Sequence, residues 1–455
     1  MRLDEALTNL VEKENIEGLD AIQISGVPVW NILKYDIRRR YFLANGICDS
    51  VQSSKGKIIL KQSVKGMLSS FYKVHKQLLF PSVADNFIMG FSRLDIIDDL
   101  YLDRFVDPVI DLTELNQSYI YFEYGRVGIH HQPRKNMEHV IYTDYIYLLS
   151  FVCSYLLAFL FLCAHYRAVS LLKRKIHAAT SLTLSPFWLS RTIVEFKSNA
   201  AFFSILLSRS KAKRVFGVSR ILFRHVSYAA KKKKIPVFEF QHGITLGTTE
   251  LYSGNYVPEI DPDYFLLFGD SCPKTVFGIP ESKTIIIGWA FKDYLKGIAS
   301  GTYQKDSCLV VSEPQITNQV ISATLLLAEK FPNIQFHIRR HPQESFSEEQ
   351  KKRFENVPNV IDATNKRNST LVAMTYDYII GENSTVLFEG LSLGKKVARL
   401  NICGLQPVNR SDDDAFYYID NVEDFGLYLN APVKQLKEKV YSDFNAELFN
   451  SFLER

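Results

Sequence analysis

The chain has 455 residues, of which 47% are hydrophobic and 23% are charged, and this composition is typical of a globular protein rather than a disordered one. A chain of this length can form two or three domains with large cores. The formal net charge is only +5 and the Lys/Arg runs are short, so the composition does not favour a nucleic-acid-binding protein. A mildly basic surface suits an anionic substrate or an anionic lipid surface better.

The cysteines and the first residues indicate a reducing compartment. The six cysteines are scattered, without a C-x-x-C pair, and several lie in or beside apolar runs. We therefore expect free thiols, with neither a structural zinc site nor a disulfide framework. The first residues contain no apolar run of the signal-peptide type, so we expect no signal peptide and a cytoplasmic protein.

The first 145 residues contain a basic amphipathic segment and two predicted strands. Residues 52–80 are rich in lysine with Leu, Phe and Tyr between, a pattern typical of a solvated surface helix or of a helix lying against anionic headgroups. Strands are predicted at 87–91 and 119–123, and several aspartates follow the first of them. Asp95 is one of these, and a carboxylate near a cleft can act as a general base, although no metal-binding loop is recognisable.

Residues 146–164 form a stretch that could cross a membrane. The stretch is uncharged, rich in Leu and Phe and about nineteen residues long, which meets the length needed to span a bilayer. Basic residues follow it, as they do on a cytoplasmic flank. A crossing here would place residues 1–145 across the bilayer from strands that we assign to the same sheet system. We therefore expect a buried or interfacially embedded helix.

From residue 212 onward, strand and helix patterns alternate in the manner of βαβ units. In the first half of this region the predicted elements are a strand at 214–218, a helix at 222–234 and strands at 235–240, 264–269 and 283–288. In the second half they are strands at 308–312, 334–338, 360–361, 378–380 and 396–400, with a helix at 319–330. We predict an N-terminal Rossmann-like domain over 1–295, a second one over 306–420, and C-terminal helices over 421–455 that pack back across a polar linker.

Two segments of the second predicted domain are suited to phosphate. Arg339, Arg340 and His341 leave one strand, and Ser384 begins a helix shortly after another. The carboxyl ends of parallel strands meet at one edge, and a helix N-terminus attracts anions through its backbone N–H groups and dipole. Either segment alone is explained by helix capping or by solvated arginines. Together they predict a site for the phosphate of a nucleotide.

Three short motifs carry a resemblance to a known family. They are Phe238-Glu-Phe-Gln-His-Gly243, Arg340-His-Pro342 and Gly381-Glu-Asn-Ser-Thr-Val-Leu-Phe-Glu389. Together they resemble bacterial GT-B glycosyltransferases of capsule and O-antigen synthesis, and are similar to sialyl-, Kdo- and CDP-glycerol-type transferases. The match covers roughly 215–400, and residues 1–210 match only loosely. It implies an α/β, GT-B-like fold with two Rossmann-like domains facing a central cleft.

The resemblance also implies roles for particular residues. The phosphate of the donor would be bound without a metal ion by side chains and a helix N-terminus. The residues concerned are Arg339, Arg340, His341, Pro342, Ser384 and Thr385. Glu389 would accept hydrogen bonds from the ribose hydroxyls. Candidates for the catalytic base are His242, Glu239 and Asp95, and the residues do not decide among them. The paired-acid-plus-Gly motif that sialyltransferase relatives use for their base is absent.

These observations predict a glycosyltransferase that moves a sugar from a nucleotide sugar, possibly CMP- or CDP-linked, to a growing cell-surface polysaccharide or a lipid-linked acceptor. No cofactor beyond the donor substrate and no nucleic-acid partner is expected. We expect the protein at the cytoplasmic face of the inner membrane, in peripheral contact with it. The alternatives are a CDP-polyol phosphotransferase, a catalytically inactive GT-B scaffold of a polysaccharide assembly complex, and a nucleotide-sugar 2-epimerase of the same fold.

Overall fold

A computed structural model gives the structure of the chain. It describes residues 3–454 with the exception of 48–59, 92–93, 126–129, 246–248, 271, 273, 297, 299–301, 314–315, 342–343, 365–367, 408–414 and 435–440.

The described residues form helices and strands along the whole chain. The helices are α1 (Leu3–Ile16), α2 (Val29–Ala44), α3 (Leu60–Leu79), α4 (Asp107–Leu112), α5 (Asp144–Ala164), α6 (Tyr166–Thr180), α7 (Pro186–Ser210), α8 (Arg220–Lys232), α9 (Ala290–Leu295), α10 (Thr317–Lys330), α11 (Glu348–Lys352), α12 (Ser369–Met374), α13 (Thr385–Ser392), α14 (Val422–Asn430) and α15 (Ala446–Leu453). The strands are β1 (Gln23–Ile24), β2 (Val27–Pro28), β3 (Asn86–Gly90), β4 (Asp95–Ile97), β5 (Leu100–Leu102), β6 (Tyr119–Glu123), β7 (Val140–Tyr142), β8 (Arg214–Val218), β9 (Val237–Phe240), β10 (Tyr264–Leu267), β11 (Thr284–Ile286), β12 (Ser307–Val311), β13 (Gln335–Arg339), β14 (Val360–Asp362), β15 (Tyr378–Gly381), β16 (Lys396–Leu400) and β17 (Tyr417–Ile419).

Two parallel sheets organise these elements. The first has seven strands in the order β11-β10-β9-β8-β3-β6-β7, and the second has six in the order β14-β13-β12-β15-β16-β17. Their central strands are buried on both faces, as helix-covered parallel strands are. The predicted fold class is confirmed: the protein is α/β and GT-B-like, with two Rossmann-like domains.

Each sheet has a point where the chain reverses its direction of strand addition. In the first sheet this switch lies between β3 and β8, and in the second it lies between β12 and β15. Open parallel sheets bind ligands outside the carboxyl ends of the strands at such a switch, because the two connecting loops diverge there and leave a crevice. The fold therefore points to one edge of each sheet as the place for a site.

The first sheet combines strands that precede α5 with strands that follow it. Strand β3 pairs with β8, with Phe87 opposite Val215. A single crossing of a bilayer by α5 would separate these partners. By length and composition α5 is the one helix in the described part of the chain that could span a membrane. Only 22% of its most apolar window is buried in the fold, so most of this window is exposed. The structure thus excludes the buried helix that we considered and leaves a helix exposed on the surface of the first domain.

The two sheets share a hydrophobic core. One continuous cluster of buried side chains contains Phe216 and Phe240 of the first sheet together with Leu309 and Ile379 of the second. Helix α15, at the end of the chain, contributes Phe449, whose ring lies 5.6 Å from that of Phe216. The last helix therefore packs on the first sheet and ties the chain end to it. The domain limits predicted above remain predictions.

Candidate functional site

Two of the predicted motifs face each other between the sheets. Strand β9 ends at Phe240 and continues into the loop Gln241–Gly243, while β15 leads into α13. The Ser384 hydroxyl accepts a hydrogen bond from the Val386 N–H at 3.4 Å and caps α13. A Cβ atom built on Gly243 would lie 3.8 Å from Thr385 Oγ1. The loop after β9 is therefore adjacent to the N-terminus of α13.

Close packing at the second switch point requires the glycine that ends β15. A Cβ on Gly381 would lie 2.6 Å from Val311 Cγ2 and 2.9 Å from the Val311 carbonyl oxygen. No larger residue fits there without moving the backbone of β12. Gly381 thus allows the start of α13 to sit directly over the sheet edge, where its first N–H groups point outward.

His242 is held at the sheet edge by a buried tyrosine. Its Nδ1 lies 3.0 Å from Tyr252 Oη, and its ring centroid lies 5.9 Å from that of Phe91, which follows β3. Burial raises the pKa of Tyr252 well above its usual range, so its hydroxyl stays protonated near neutral pH. Gln241 fixes the loop, because its amide donates to the Gly243 carbonyl and accepts from the Phe268 N–H. His242 is therefore a positioned imidazole near the first switch point.

Glu239 lies on the other face of the first sheet. It is fully buried, and its two carboxylate oxygens accept hydrogen bonds from the backbone N–H and from Nε of Arg220, each at 2.8 Å. Its neighbours Phe238 and Phe240 face the shared core, so the alternation of a strand turns Glu239 away from it. The prediction of Glu239 as a candidate base is therefore corrected, because its carboxylate is bonded to Arg220 and anchors the start of α8.

Asp95 and Glu389 meet through an arginine that the sequence did not single out. Arg104 Nη2 forms an ion pair with Glu389, and its Nε lies 3.7 Å from Asp95 Oδ2. The second Glu389 oxygen accepts a hydrogen bond from Thr370 Oγ1 at 2.6 Å. Although burial disfavours its charge, Glu389 and Asp95 raise the pKa of Arg104.

This arrangement corrects the role expected for Glu389. Both of its carboxylate oxygens are bonded to protein groups, and the residue is 1% exposed, so in this structure it joins the domains instead of presenting an open ribose site. Asp95 lies beside the same ion pair. Arg104 stands among the aspartates that follow β3, where the sequence draws attention to carboxylates only.

The two arginines at the end of β13 point in different directions, as alternation predicts for a strand. Arg340 turns toward β14, where its backbone N–H and its Nε donate to Thr364 Oγ1 at 3.1 and 3.2 Å. Arg339 is 9% exposed on the opposite face. Burial lowers its pKa, and the nearby Tyr376 and Asp95 oppose that shift. Arg339 is thus the one of the pair that lies on the side of the first domain.

The start of the His341–Pro342 segment is fixed by a glutamate. Glu344 accepts a hydrogen bond from the His341 N–H at 2.5 Å and two more from Ser312 and Thr317 hydroxyls. These bonds hold His341 close to the end of β12. Pro342 lies outside the described residues.

Glu313, at the second switch point, is a site residue that the sequence analysis missed. Its Oε1 accepts a hydrogen bond at 3.0 Å from the N–H of Asn383, the residue before the N-cap of α13. Burial raises the pKa of Glu313 to about 7, with Glu382 and Glu344 adding to the effect. A carboxyl that changes its charge near neutral pH therefore lies beside the helix N-terminus. The signal was its position two residues after the end of β12, equivalent to that of His341 after β13.

The site residues line neither the pocket described here nor, among the described residues, a cluster that could hold a metal ion. A pocket of about 370 Å³, partly open to solvent, lies between α2 and α8 and is lined by Lys34, Arg220, Arg224 and Asp261 among others. None of the predicted site residues lines it. In the described part of the chain, no three His, Cys, Asp or Glu side chains form a group that could hold a metal ion.

Comparison with known proteins gives distant structural likeness only. No protein-family model matches the chain, and no curated protein matches it significantly. Among solved structures, UDP-GlcNAc 2-epimerase from Methanocaldococcus jannaschii is 10% identical, with a TM-score of 0.47, over 81% of this chain and 99% of that one. The enzyme from Neisseria meningitidis, bound to UDP-GlcNAc, is 14% identical, with a TM-score of 0.43, over 81% and 99%.

A further similar structure is CalG4, the calicheamicin glycosyltransferase, which is 10% identical, with a TM-score of 0.36, over 76% of this chain and 88% of that one. Likeness at these levels carries no functional argument. The fold assignment rests on the two parallel sheets and their order.

Proposed function

We propose that this protein is a GT-B-type glycosyltransferase that binds a nucleotide sugar between its two domains and transfers the sugar to an acceptor. The observation that carries the proposal is the approach of Gly243 to Thr385, which brings the loop of His242 next to the N-terminus of α13. Both elements lie at the carboxyl edges where parallel sheets bind ligands. A crevice between an imidazole and a helix N-terminus suits a reaction whose leaving group is a nucleoside phosphate.

The second domain would bind that leaving group. Transfer of a sugar develops negative charge on the phosphate oxygens, and the N–H groups of Ser384 and Thr385 lie where they can stabilise this charge. Arg339 supplies a cation on the same side of the second sheet. His341, whose backbone N–H is held by Glu344, would donate a further hydrogen bond.

The first domain would activate the acceptor. His242 Nδ1 and Tyr252 Oη are 3.0 Å apart, and we assign the tautomer in which Nδ1–H donates. Nε2 would then take the proton of the acceptor hydroxyl as the sugar is transferred. Asp95 is the second candidate, but its Oδ2 lies 3.7 Å from Arg104 Nε, beside the ion pair of Arg104 with Glu389. We assign the base role to His242.

We further propose that the donor is CMP- or CDP-linked and that the acceptor is a growing polysaccharide or a lipid-linked sugar at the cytoplasmic face of the inner membrane. No cofactor beyond the donor takes part in this scheme. A CDP-polyol phosphotransferase would use the same crevice. A 2-epimerase would isomerise the donor, and an inactive scaffold would leave it unchanged. The chemical fate of the donor therefore distinguishes the four possible functions.

The fate of the donor can be followed by ³¹P NMR. Purified protein is mixed with CMP-, CDP-, UDP-, GDP- or dTDP-linked sugars, with and without bacterial membranes as a source of acceptor. We expect one donor to release its nucleotide only when membranes are present, and His242→Ala to slow that release by at least about 100-fold. Released CMP from a CDP-linked polyol would identify the phosphotransferase.

Two results would contradict the proposal. Isomerisation of a nucleotide sugar without nucleotide release would show an epimerase, and no change in any donor would favour the scaffold. His165→Ala, at a half-buried histidine between α5 and α6, serves as the control and should leave the rate unchanged.

A further inference from the structure

Helix α5 buries small side chains and exposes large apolar ones, which is the reverse of what is expected for a helix of a water-soluble protein. Its buried face is formed by Ile146 and by three small residues, Ser150, Ser154 and Ala158. Its exposed residues are large and apolar: Leu148, Phe151, Val152, Tyr155, Leu156, Leu157, Phe159 and Leu160. A helix on a soluble protein turns its large apolar side chains toward the core. Small residues at helix contacts and large apolar residues outside are typical of helices surrounded by lipid.

The exposed apolar surface extends beyond α5 onto its neighbours. The ring of Phe71 on α3 lies 5.0 Å from that of Tyr145, and Leu68 and Tyr72 are exposed on the same helix. On α7, the ring of Phe187 lies 6.5 Å from that of Tyr155. We call these exposed side chains of α3, α5 and α7 the apolar surface. Patches of this kind mark a site of interaction.

The helices of the apolar surface carry mainly basic charges, although Glu195 pairs with Arg191 at 3.0 Å and Glu17 lies 3.8 Å from Lys175. The sequence has no Asp or Glu from Tyr145 to Val194, while five Lys or Arg residues fall in that interval: Arg167, Lys173, Arg174, Lys175 and Arg191. No acidic residue occurs from Val51 to Ala84 either, the interval that contains α3. Asp144, at the start of α5, is bonded to His130 Nε2 at 2.7 Å. A basic margin next to an apolar face is complementary to an anionic bilayer surface.

One of these cations is held among the apolar side chains. The guanidinium carbon of Arg191 lies 5.7 Å from the ring centre of Phe151 and 5.0 Å from that of Tyr155. An arginine over aromatic rings at the edge of an apolar face can keep its charge at the level of lipid headgroups while the rings reach deeper. The aromatic and basic residues therefore set a depth for insertion.

We infer that the apolar surface lies in one leaflet of an anionic bilayer, with α5 in the plane of the membrane. The pairing of β3 with β8 excludes a crossing, so the helix is embedded from one side. The occupant of this surface is a lipid membrane with anionic headgroups. This inference goes beyond the proposed transfer reaction, and it depends on neither the donor nor the base.

Flotation with lipid vesicles tests the inference on the full chain. The probes are vesicles of phosphatidylcholine alone and vesicles in which about one lipid in three is phosphatidylglycerol. We expect the protein to float with the anionic vesicles and to bind at least about tenfold more weakly to neutral ones or at about 0.5 M salt.

Substitutions at largely exposed positions separate loss of membrane binding from loss of folding. Leu156 and Phe159 are 70% and 64% exposed, so Leu156→Glu/Phe159→Glu should fold normally and reduce binding to anionic vesicles by at least about tenfold. Leu326→Glu/Leu427→Glu, at exposed leucines of the second domain, is the matched control and should float like the natural protein. Arg167→Glu/Arg174→Glu should lose the preference for anionic vesicles.

Three outcomes would overturn the inference. The first is that the natural protein does not float with anionic vesicles. The second is that Leu156→Glu/Phe159→Glu floats as well as the natural protein. The third is that analytical ultracentrifugation without lipid shows a dimer of the natural protein and a monomer of this variant. The apolar surface would then be covered by a second copy of the chain. Because the variant keeps the residues between the domains, nucleotide binding measured in parallel separates failure here from failure of the proposed function.

Discussion

Glu313 is a charged group whose state affects the proposed phosphate site directly. It accepts the N–H of Asn383 beside the N-terminus of α13, and burial raises its pKa to about 7. An ionised Glu313 would repel a phosphate bound at that helix, while a protonated one would not. The bound anion in turn raises the pKa of Glu313 further, so binding above pH 7 is coupled to the uptake of a proton.

Nucleotide affinity should therefore fall as the pH rises above 7, by up to about tenfold per pH unit. Glu313→Gln keeps an oxygen for the Asn383 N–H but cannot ionise, so it should bind equally well at pH 7 and pH 9 and more tightly than the natural protein at pH 9. Isothermal titration calorimetry across this range measures both. A slope in the variant equal to that of the natural protein would show that Glu313 is not the group concerned.

For single residues, the sequence predicts the direction of a side chain well when the local backbone geometry determines that direction. Alternation along β13 predicts that Arg339 and Arg340 point to opposite faces, and Arg340 bonds to Thr364 while Arg339 is buried. Glu389 is different, because its partner Arg104 is 285 residues away and belongs to the other domain. A pairing of this kind depends on how the domains pack, and no pattern near Glu389 reveals it.

The helices and strands follow the sequence pattern where that pattern is strongly periodic. The predicted strands at 214–218 and 396–400 coincide with β8 and β16. Nothing in the periodicity predicts α7, although it has 25 residues. Its buried residues include Ser190, Asn199 and many apolar side chains, since α5, α6 and α8 all pack on it, and a helix covered on several sides has no single apolar stripe.

The contact between α5 and α7 gives a prediction about packing. Ser154 is fully buried at the face of α5 toward the fold, where a small side chain lets the helices approach. Ser154→Leu should destabilise the protein by about 1–3 kcal/mol through overpacking, whereas Leu156→Ser at the exposed face should change its stability by less than about 0.5 kcal/mol. The melting temperatures of the two variants provide the measurement. Equal melting temperatures would contradict the orientation of α5.

At the scale of the whole molecule, the loop of Gly243 lies beside the N-terminus of α13 because the two domains pack against each other. The ion pair of Arg104 with Glu389, the shared hydrophobic core and α15 all join the two halves. The sequence indicates two βαβ regions and places three motifs at strand ends. It does not reveal that the loop of Gly243 lies beside Thr385, because that distance is set by the packing of one domain on the other.

Nucleotide binding between the domains is the central claim, and calorimetry with CMP, CDP, UDP, GDP and dTDP on three forms of the protein tests it most directly. A Cβ at Gly243 makes an ordinary contact with Thr385, so Gly243→Ala should bind nucleotide within about threefold of the natural protein. The longer side chain of Gly243→Leu should fill the space between the Gly243 loop and α13. This variant should bind nucleotide at least about tenfold more weakly at an unchanged melting temperature. We predict that one nucleotide binds the natural protein and shows this graded loss. Binding of none of the five to the folded protein, or equal binding by Gly243→Leu, would contradict a nucleotide site between these domains.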